Sequence, residues 1–130
     1  MSEQRLEPRS GEIWLVDCDP QIGREQGGIR PALVISNDYF NRLPNGLYVI
    51  APITSRNRGL RLQLPIAPPA GGLRKPSVIM CDQIKAASER RMLERWGVVS
   101  DETLAEARQV AGLIIEDEPF FVEESGGALT

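Results

Sequence analysis

Short apolar stretches rich in β-branched residues, each closed off by proline, glycine or asparagine, most constrain what this chain can fold into. Glu12-Ile13-Trp14-Leu15-Val16-Asp17 ends at Asp19-Pro20, and the run Ala32-Leu33-Val34-Ile35 ends at Asn37-Asp38. Leu47-Tyr48-Val49-Ile50-Ala51 follows the turn signal Pro44-Asn45-Gly46 and runs into Pro52-Ile53-Thr54-Ser55. Such runs are too short for helices, and turn residues between them read as a string of strands. Leu60-Arg61-Leu62-Gln63-Leu64-Pro65-Ile66 alternates apolar and polar residues, as a half-exposed strand does. Residues 77–81 and 83–85 read as one further strand bent near Asp82. Residues 88–95 read as a helical turn and 96–99 as a short strand.

One stretch has a different period. Ser100 is placed to cap a helix with Asp101 and Glu102 in its first turn, and Leu104, Ala107, Ala111, Leu113, Ile114 and Ile115 form an apolar stripe. A short helical turn fits 38–43. Residues 1–10 read as a flexible lead, 11–115 as one domain and 116–130 as an acidic tail. The expected class is mainly β with minor α, a small curled barrel packed by a terminal helix.

At 130 residues the chain holds a single core. It has no apolar stretch of membrane-spanning length, and its charged N-terminus lacks a signal-peptide core, so the expected compartment is cytoplasmic. Cys18 and Cys81, far apart and without any histidine in the chain, are expected to be reduced packing thiols rather than metal ligands. The lack of histidine excludes Ser-His triads, Cys-His proteases and histidine-pair ribonuclease chemistry. No metal or other cofactor is expected.

The net charge of −3 hides a split: residues 1–97 carry 14 Lys/Arg against 10 acids, and residues 98–130 carry one arginine against eight acids. Arg56, Arg58, Arg61, Arg74 and Lys75 fall in an interval, 55–81, that has no acid. A local cationic face can bind a polyanion although the whole molecule is acidic; the alternative is a set of ordinary soluble loops.

Within the loop 18–30, Glu25-Gln26-Gly27-Gly28-Ile29-Arg30-Pro31 sets a carboxylate and a guanidinium beside two glycines. Gly27 and Gly28 would let backbone approach a ligand with no Cβ in the way. Arg30, one residue before the rigid strand, could be held still enough to recognise a phosphate.

Gly11-Glu12-Ile13-Trp14, Asp19-Pro20, Gly23-x-Glu25-Gln26-Gly27-Gly28-x-Arg30-Pro31, Val34-Ile35-Ser36-Asn37, Ala51-Pro52-Ile53-Thr54-Ser55 and Asp82-Gln83-Ile84 follow one another in that order. With them the chain resembles the MazF/PemK-type toxins of bacterial toxin–antitoxin systems over about residues 11–115. The resemblance implies an SH3-like barrel of bent antiparallel sheet (MazF/CcdB-like) with a C-terminal helix. It also implies a homodimer that cleaves single-stranded RNA at short sequences without a metal, leaving a 2′,3′-cyclic phosphate and a 5′-hydroxyl. A cognate MazE-like antitoxin would lie along the RNA groove. The family's catalytic arginine, threonine and motif glutamate fall on Arg30, Thr54 and Glu25.

Those residue types suit the reaction. Arginine can stabilise a phosphorane by paired donation but is a poor base, and a threonine hydroxyl can donate to the same phosphate. Glu25 either accepts the 2′ proton or orients Arg30; without the resemblance, the pair reads as a surface ion pair. Gln26, Gly27, Gly28 and Ser55 flank these positions and are expected, with Arg24, to contact the RNA. Arg56, Arg58 and Arg61 are expected to hold phosphates along the RNA path. Gln83 and Ser77 either contact bases or are tied to backbone, and Trp14 reads as core rather than a stacking platform. Arg24 stands where the family usually has a small polar residue and adds charge beside the site. The competing reading is a non-enzymatic toxin of the same fold that binds a protein such as DNA gyrase, or an RNA-binding module that does not cut.

Overall fold

The computed structural model describes residues 7–117. Among them seven strands form one antiparallel sheet: β1 (Glu12–Asp17), β2 (Ile29–Val34), β3 (Leu47–Thr54), β4 (Gln63–Ile66), β5 (Ser77–Met80), β6 (Lys85–Ser88) and β7 (Met92–Val98). Two helices join them, α1 (Asp38–Asn41) and α2 (Asp101–Gly112). The strand order is β4-β5-β3-β2-β1-β7, with β6 also paired to β3. The expected class, a bent antiparallel sheet with a C-terminal helix, is the one observed.

β2 lies between β1 and β3 and is apolar on both faces because each face has its own layer to fill. Ile13, Leu33, Ala51 and Ile53 point into one layer, which α2 closes with Ala107 and Ala111. Trp14, Val16, Ala32, Val34, Tyr48 and Ile50 point into the other, where Ala87 and Met92 complete the curl of the sheet. Trp14 is core, 4% exposed, with Nε1 donating to Glu12 Oε1 at 2.8 Å. Cys18 and Cys81 are free and buried, and burial pushes the Cys81 thiol up to about 11.

β3 is long enough to serve three neighbours. Its first half pairs with β6, in the register Ile50↔Lys85, and its end with β5, in the register Ile53↔Ile79. A 3-10 turn, Cys81–Gln83, takes up the shift between the two registers. The expected single bent strand over 77–85 is therefore two strands, and the turn between them keeps Cys81 in the core while Asp82 is exposed. The expected helical turn over 88–95 is likewise replaced: a 3-10 turn, Glu89–Arg91, leads directly into β7, which pairs with β1 through Trp14↔Arg95 and Leu15↔Glu94. Its polar sequence reflects an edge strand with one face in water.

α2 starts as expected, Ser100 Oγ accepting from Thr103 N at 3.1 Å. It ends earlier than its apolar stripe: Ile114 and Ile115 lie past the helix and are 45% and 70% exposed. Part of the lead is tied down, Ser10 N donating to Asp38 Oδ1 at 2.8 Å and Arg9 N to Glu12 Oε1 at 2.9 Å. The first six residues of the lead and the acidic tail beyond 117 lie outside the described residues. No helix among the described residues is long and apolar enough to cross a membrane.

Candidate active site

β2 begins at Ile29, so Arg30 stands on the strand itself rather than on the loop before it. The β2–β3 register runs Val34↔Ile50, Leu33↔Ala51, Ala32↔Pro52, and two further steps bring Arg30 level with Thr54. Residues directly opposite on antiparallel strands share a face, so both side chains leave the sheet on the same side. One proline explains why the ladder stops there. Ile35 N donates to Val49 O at 3.0 Å, which makes Pro31 and Ile53, four residues along each strand, a bonding pair in the same alternation. Pro31 has no N–H to give. Ile53 O instead takes Arg30 Nη1 at 3.4 Å, and Arg30 Nε donates to Gly27 O at 2.8 Å. The guanidinium is thus fixed between the loop and the end of β3, and its remaining N–H groups have no acceptor among the described residues.

Thr54 Oγ1 accepts from Arg56 N at 3.2 Å, and its own proton has no acceptor among the described residues. Arg30 and Thr54 stand together on a divide between two clefts. One, of about 650 Å³, is lined by Arg24, Glu25, Gln26, Arg56, Arg58, Asp82 and Gln83 as well as both of them. The other, of about 480 Å³, holds Ser55, Ser77, Arg74, Lys75 and Trp96 beyond the divide. Arg74 stacks on the Trp96 ring at 5.8 Å. Arg61 is exposed and lines neither cleft.

Several sequence-level assignments change in this setting. Glu25 does not pair with Arg30: the ion pair found among the described residues is Arg95–Glu12. Glu25 Oε1 accepts from Ile22 N at 3.1 Å while Glu25 N donates to Ile22 O at 3.1 Å, closing a turn and leaving the second carboxylate oxygen without a hydrogen bond among the described residues. Gln83 is bonded to backbone rather than free for a base, Oε1 accepting from Gln26 N at 2.8 Å and Nε2 donating to Arg24 O at 3.2 Å. Ser77 is buried, and its hydroxyl donates to Lys75 O at 2.9 Å. Gly27 is also buried; a Cβ there would sit 2.5 Å from Gln21 Cβ and 2.8 Å from Asp19 Oδ1. It makes room for the loop's own side chains, not for a ligand. Gly28 has φ +79, a conformation that a side chain would strain.

The loop's first strand end is clamped from below. Arg91 donates to Asp17 O at 3.0 Å and to Asp19 O, and Lys85 Nζ donates to Cys18 O at 3.4 Å. Burial pushes the Cys18 thiol up, against the pull of Lys85 and Arg30 nearby. Asp82 lines the cleft but was not among the site residues expected from sequence. It brings a second carboxylate into the cleft, held by Gln63 Nε2 at 3.5 Å. Its signal was local: it is the first acid after the acid-free basic interval 55–81. With four arginines and two carboxylates the cleft is cationic overall, suited to a polyanion. No group of three metal-ligating side chains occurs among the described residues.

Comparison with known proteins shows the family and the fold. The family profile described as PemK-like, MazF-like toxin of type II toxin–antitoxin system matches residues 9–115. The chain is 34% identical over 113 residues to endoribonuclease MazF9 of Mycobacterium tuberculosis, covering 83% of this chain and 96% of the relative. It is 31% identical to endoribonuclease EndoA of Bacillus subtilis, covering 83% and 97%. The crystal structure of MazF from Deinococcus radiodurans superposes with a TM-score of 0.73 at 30% identity, over 85% of this chain and 97% of that one. A MazE–MazF crystal structure from the same organism has a TM-score of 0.69 at 31% identity, over 85% and 96%.

Proposed function

Because the chain belongs to the PemK/MazF-like toxins of type II toxin–antitoxin systems, we propose that it is a metal-independent endoribonuclease acting on single-stranded RNA in the cytoplasm. The observation that carries this reading is that Arg30 and Thr54 both line the cationic cleft and its neighbour, which supports one donor fork and one hydroxyl acting on a single phosphate. The RNA's own 2′ oxygen attacks the phosphorus, which is why DNA is not a substrate. Charge grows on the phosphorane oxygens, where Arg30 and Thr54 donate. The free oxygen of Glu25 accepts the 2′ proton, the P–O5′ bond breaks, the departing 5′ oxygen takes a proton from solvent water, and the products are a 2′,3′-cyclic phosphate and a 5′-hydroxyl. Arg24, Arg56 and Arg58 hold flanking phosphates.

Two relatives named endoribonuclease favour catalysis over a purely protein-binding toxin. The MazE–MazF structure supports a cognate antitoxin as partner, and we assign it to the same cationic cleft, in a homodimer of this chain. Purified protein incubated with mixed RNA and EDTA tests the reading. RNA is cut and DNA is not, EDTA makes no difference, and Arg30→Ala abolishes cutting without lowering the melting temperature. Cutting that needs a metal, or that survives Arg30→Ala, overturns it.

A further inference from the structure

One peptide unit separates Arg30 from an acid that plays no part in the chemistry above. Gly27 O accepts from Arg30 Nε at 2.8 Å, and Gly28 N, the other end of the same amide, donates to Asp19 Oδ1 at 2.7 Å. A trans amide points its N–H and C=O in opposite directions, so carboxylate, peptide and guanidinium lie in one line of hydrogen bonds. We infer that Asp19 is a positioning residue for Arg30, acting through the Gly27–Gly28 peptide.

Asp19 is itself held at both ends. Its N–H donates to Asp17 Oδ1 at 3.1 Å, its carbonyl takes Arg91, and Cys18 N donates to Gly28 O at 2.9 Å across the loop's neck. The carboxylate therefore meets Gly28 N from a fixed point. A negative charge on the N–H end polarises the amide and strengthens its carbonyl as an acceptor, so it fixes Arg30 more tightly than a free loop carbonyl would. The absence of a side chain at 27 belongs to the same device, since a Cβ there would stand 2.8 Å from Asp19 Oδ1 and push the carboxylate off its bond. The glycines serve the relay, and the relay aims the guanidinium.

The inference rests on the nuclease reading only for its kinetic consequence; the relay has a separate readout. In 15N-labelled protein the Arg30 Nε–H signal is identified by its loss in Arg30→Lys, and its exchange with solvent is measured. In Asp19→Ala we expect that exchange to quicken by about tenfold or more. On a transcript whose cut site has been mapped, kcat falls about 10- to 100-fold with KM within about threefold, the split for a lost transition-state contact. Asp19→Asn, which keeps an oxygen acceptor, stays within about fivefold of wild type in both measurements. If alanine unfolds the loop, Asp19→Ser, too short to reach Gly28 N, makes the same test. Unchanged Nε–H exchange in the cut relay overturns the inference, as does a rise in KM at constant kcat, which would make Asp19 an RNA contact. If wild type leaves RNA intact the nuclease reading falls, and the exchange rate still decides whether Asp19 holds Arg30.

Discussion

Arg30 falls opposite Thr54 when the β2–β3 register is carried two residues past Ala32↔Pro52, and its Nη1 reaches the carbonyl of Ile53, the threonine's neighbour, at 3.4 Å. The contact exists because Pro31 cannot supply the ladder bond that Ile53 O would otherwise accept. A proline in a central strand is normally a defect; here the gap it leaves holds the guanidinium.

Arg30→Lys separates charge from geometry. The ammonium keeps the positive field but cannot donate to Gly27 O and Ile53 O while facing a phosphate with two parallel N–H groups. We expect kcat to fall by about 10² to 10³ while RNA affinity, read by filter binding at fixed salt, changes far less. Equal losses in both would show that Arg30 contributes charge alone.

Thr54→Val removes the hydroxyl and keeps the shape. The expected loss is about 10²-fold in kcat. Thr54→Ser, with the same donor, recovers most of it in a parallel single-turnover assay. If valine cuts RNA at the wild-type rate, Thr54 is only the end of β3.

Glu12 is a buried carboxylate with three donors: Arg9 N, Trp14 Nε1 and Arg95 Nε, each at 2.8 to 2.9 Å. Glu12→Ala strands the Trp14 N–H in the core and should cost about 2–3 kcal/mol in urea unfolding. Arg95→Ala, at the half-exposed end of the pair, should cost under about 1 kcal/mol.

Asp38 supplies a pH signature unrelated to catalysis. The Ser10 N–H donated to its carboxylate holds it below its usual 3.8, with Asn41 and nearby arginines adding to the effect. A depressed folded pKa stabilises the protein above the unfolded value, and the gain is lost as pH falls through the folded one. Wild type should therefore exceed Asp38→Asn in stability by a constant margin from pH 5 to 7, narrowing below about pH 4. A margin that widens on acidification would contradict this.

The local period of the sequence determined where β1 and β3 run and where α2 begins, because apolar alternation and a serine cap are properties of adjacent residues, whereas β2 starts at Ile29, ahead of its apolar run. The motif string likewise marked Arg30, Thr54 and Glu25 without any coordinates. Of β7 the sequence marked only the end, as a short strand over 96–99, because the exposed residues 93–95 carry no apolar pattern, and it did not divide 77–85 into two strands. The site's internal wiring belongs to the tertiary structure alone. Gln83 meets Gln26 from 57 residues away, Asp19 meets Gly28 across the neck of a loop, and Glu25 closes its own turn instead of pairing with Arg30. A side chain's type is written in the chain, but its hydrogen-bond partner depends on distances that exist only once distant strands have found their register.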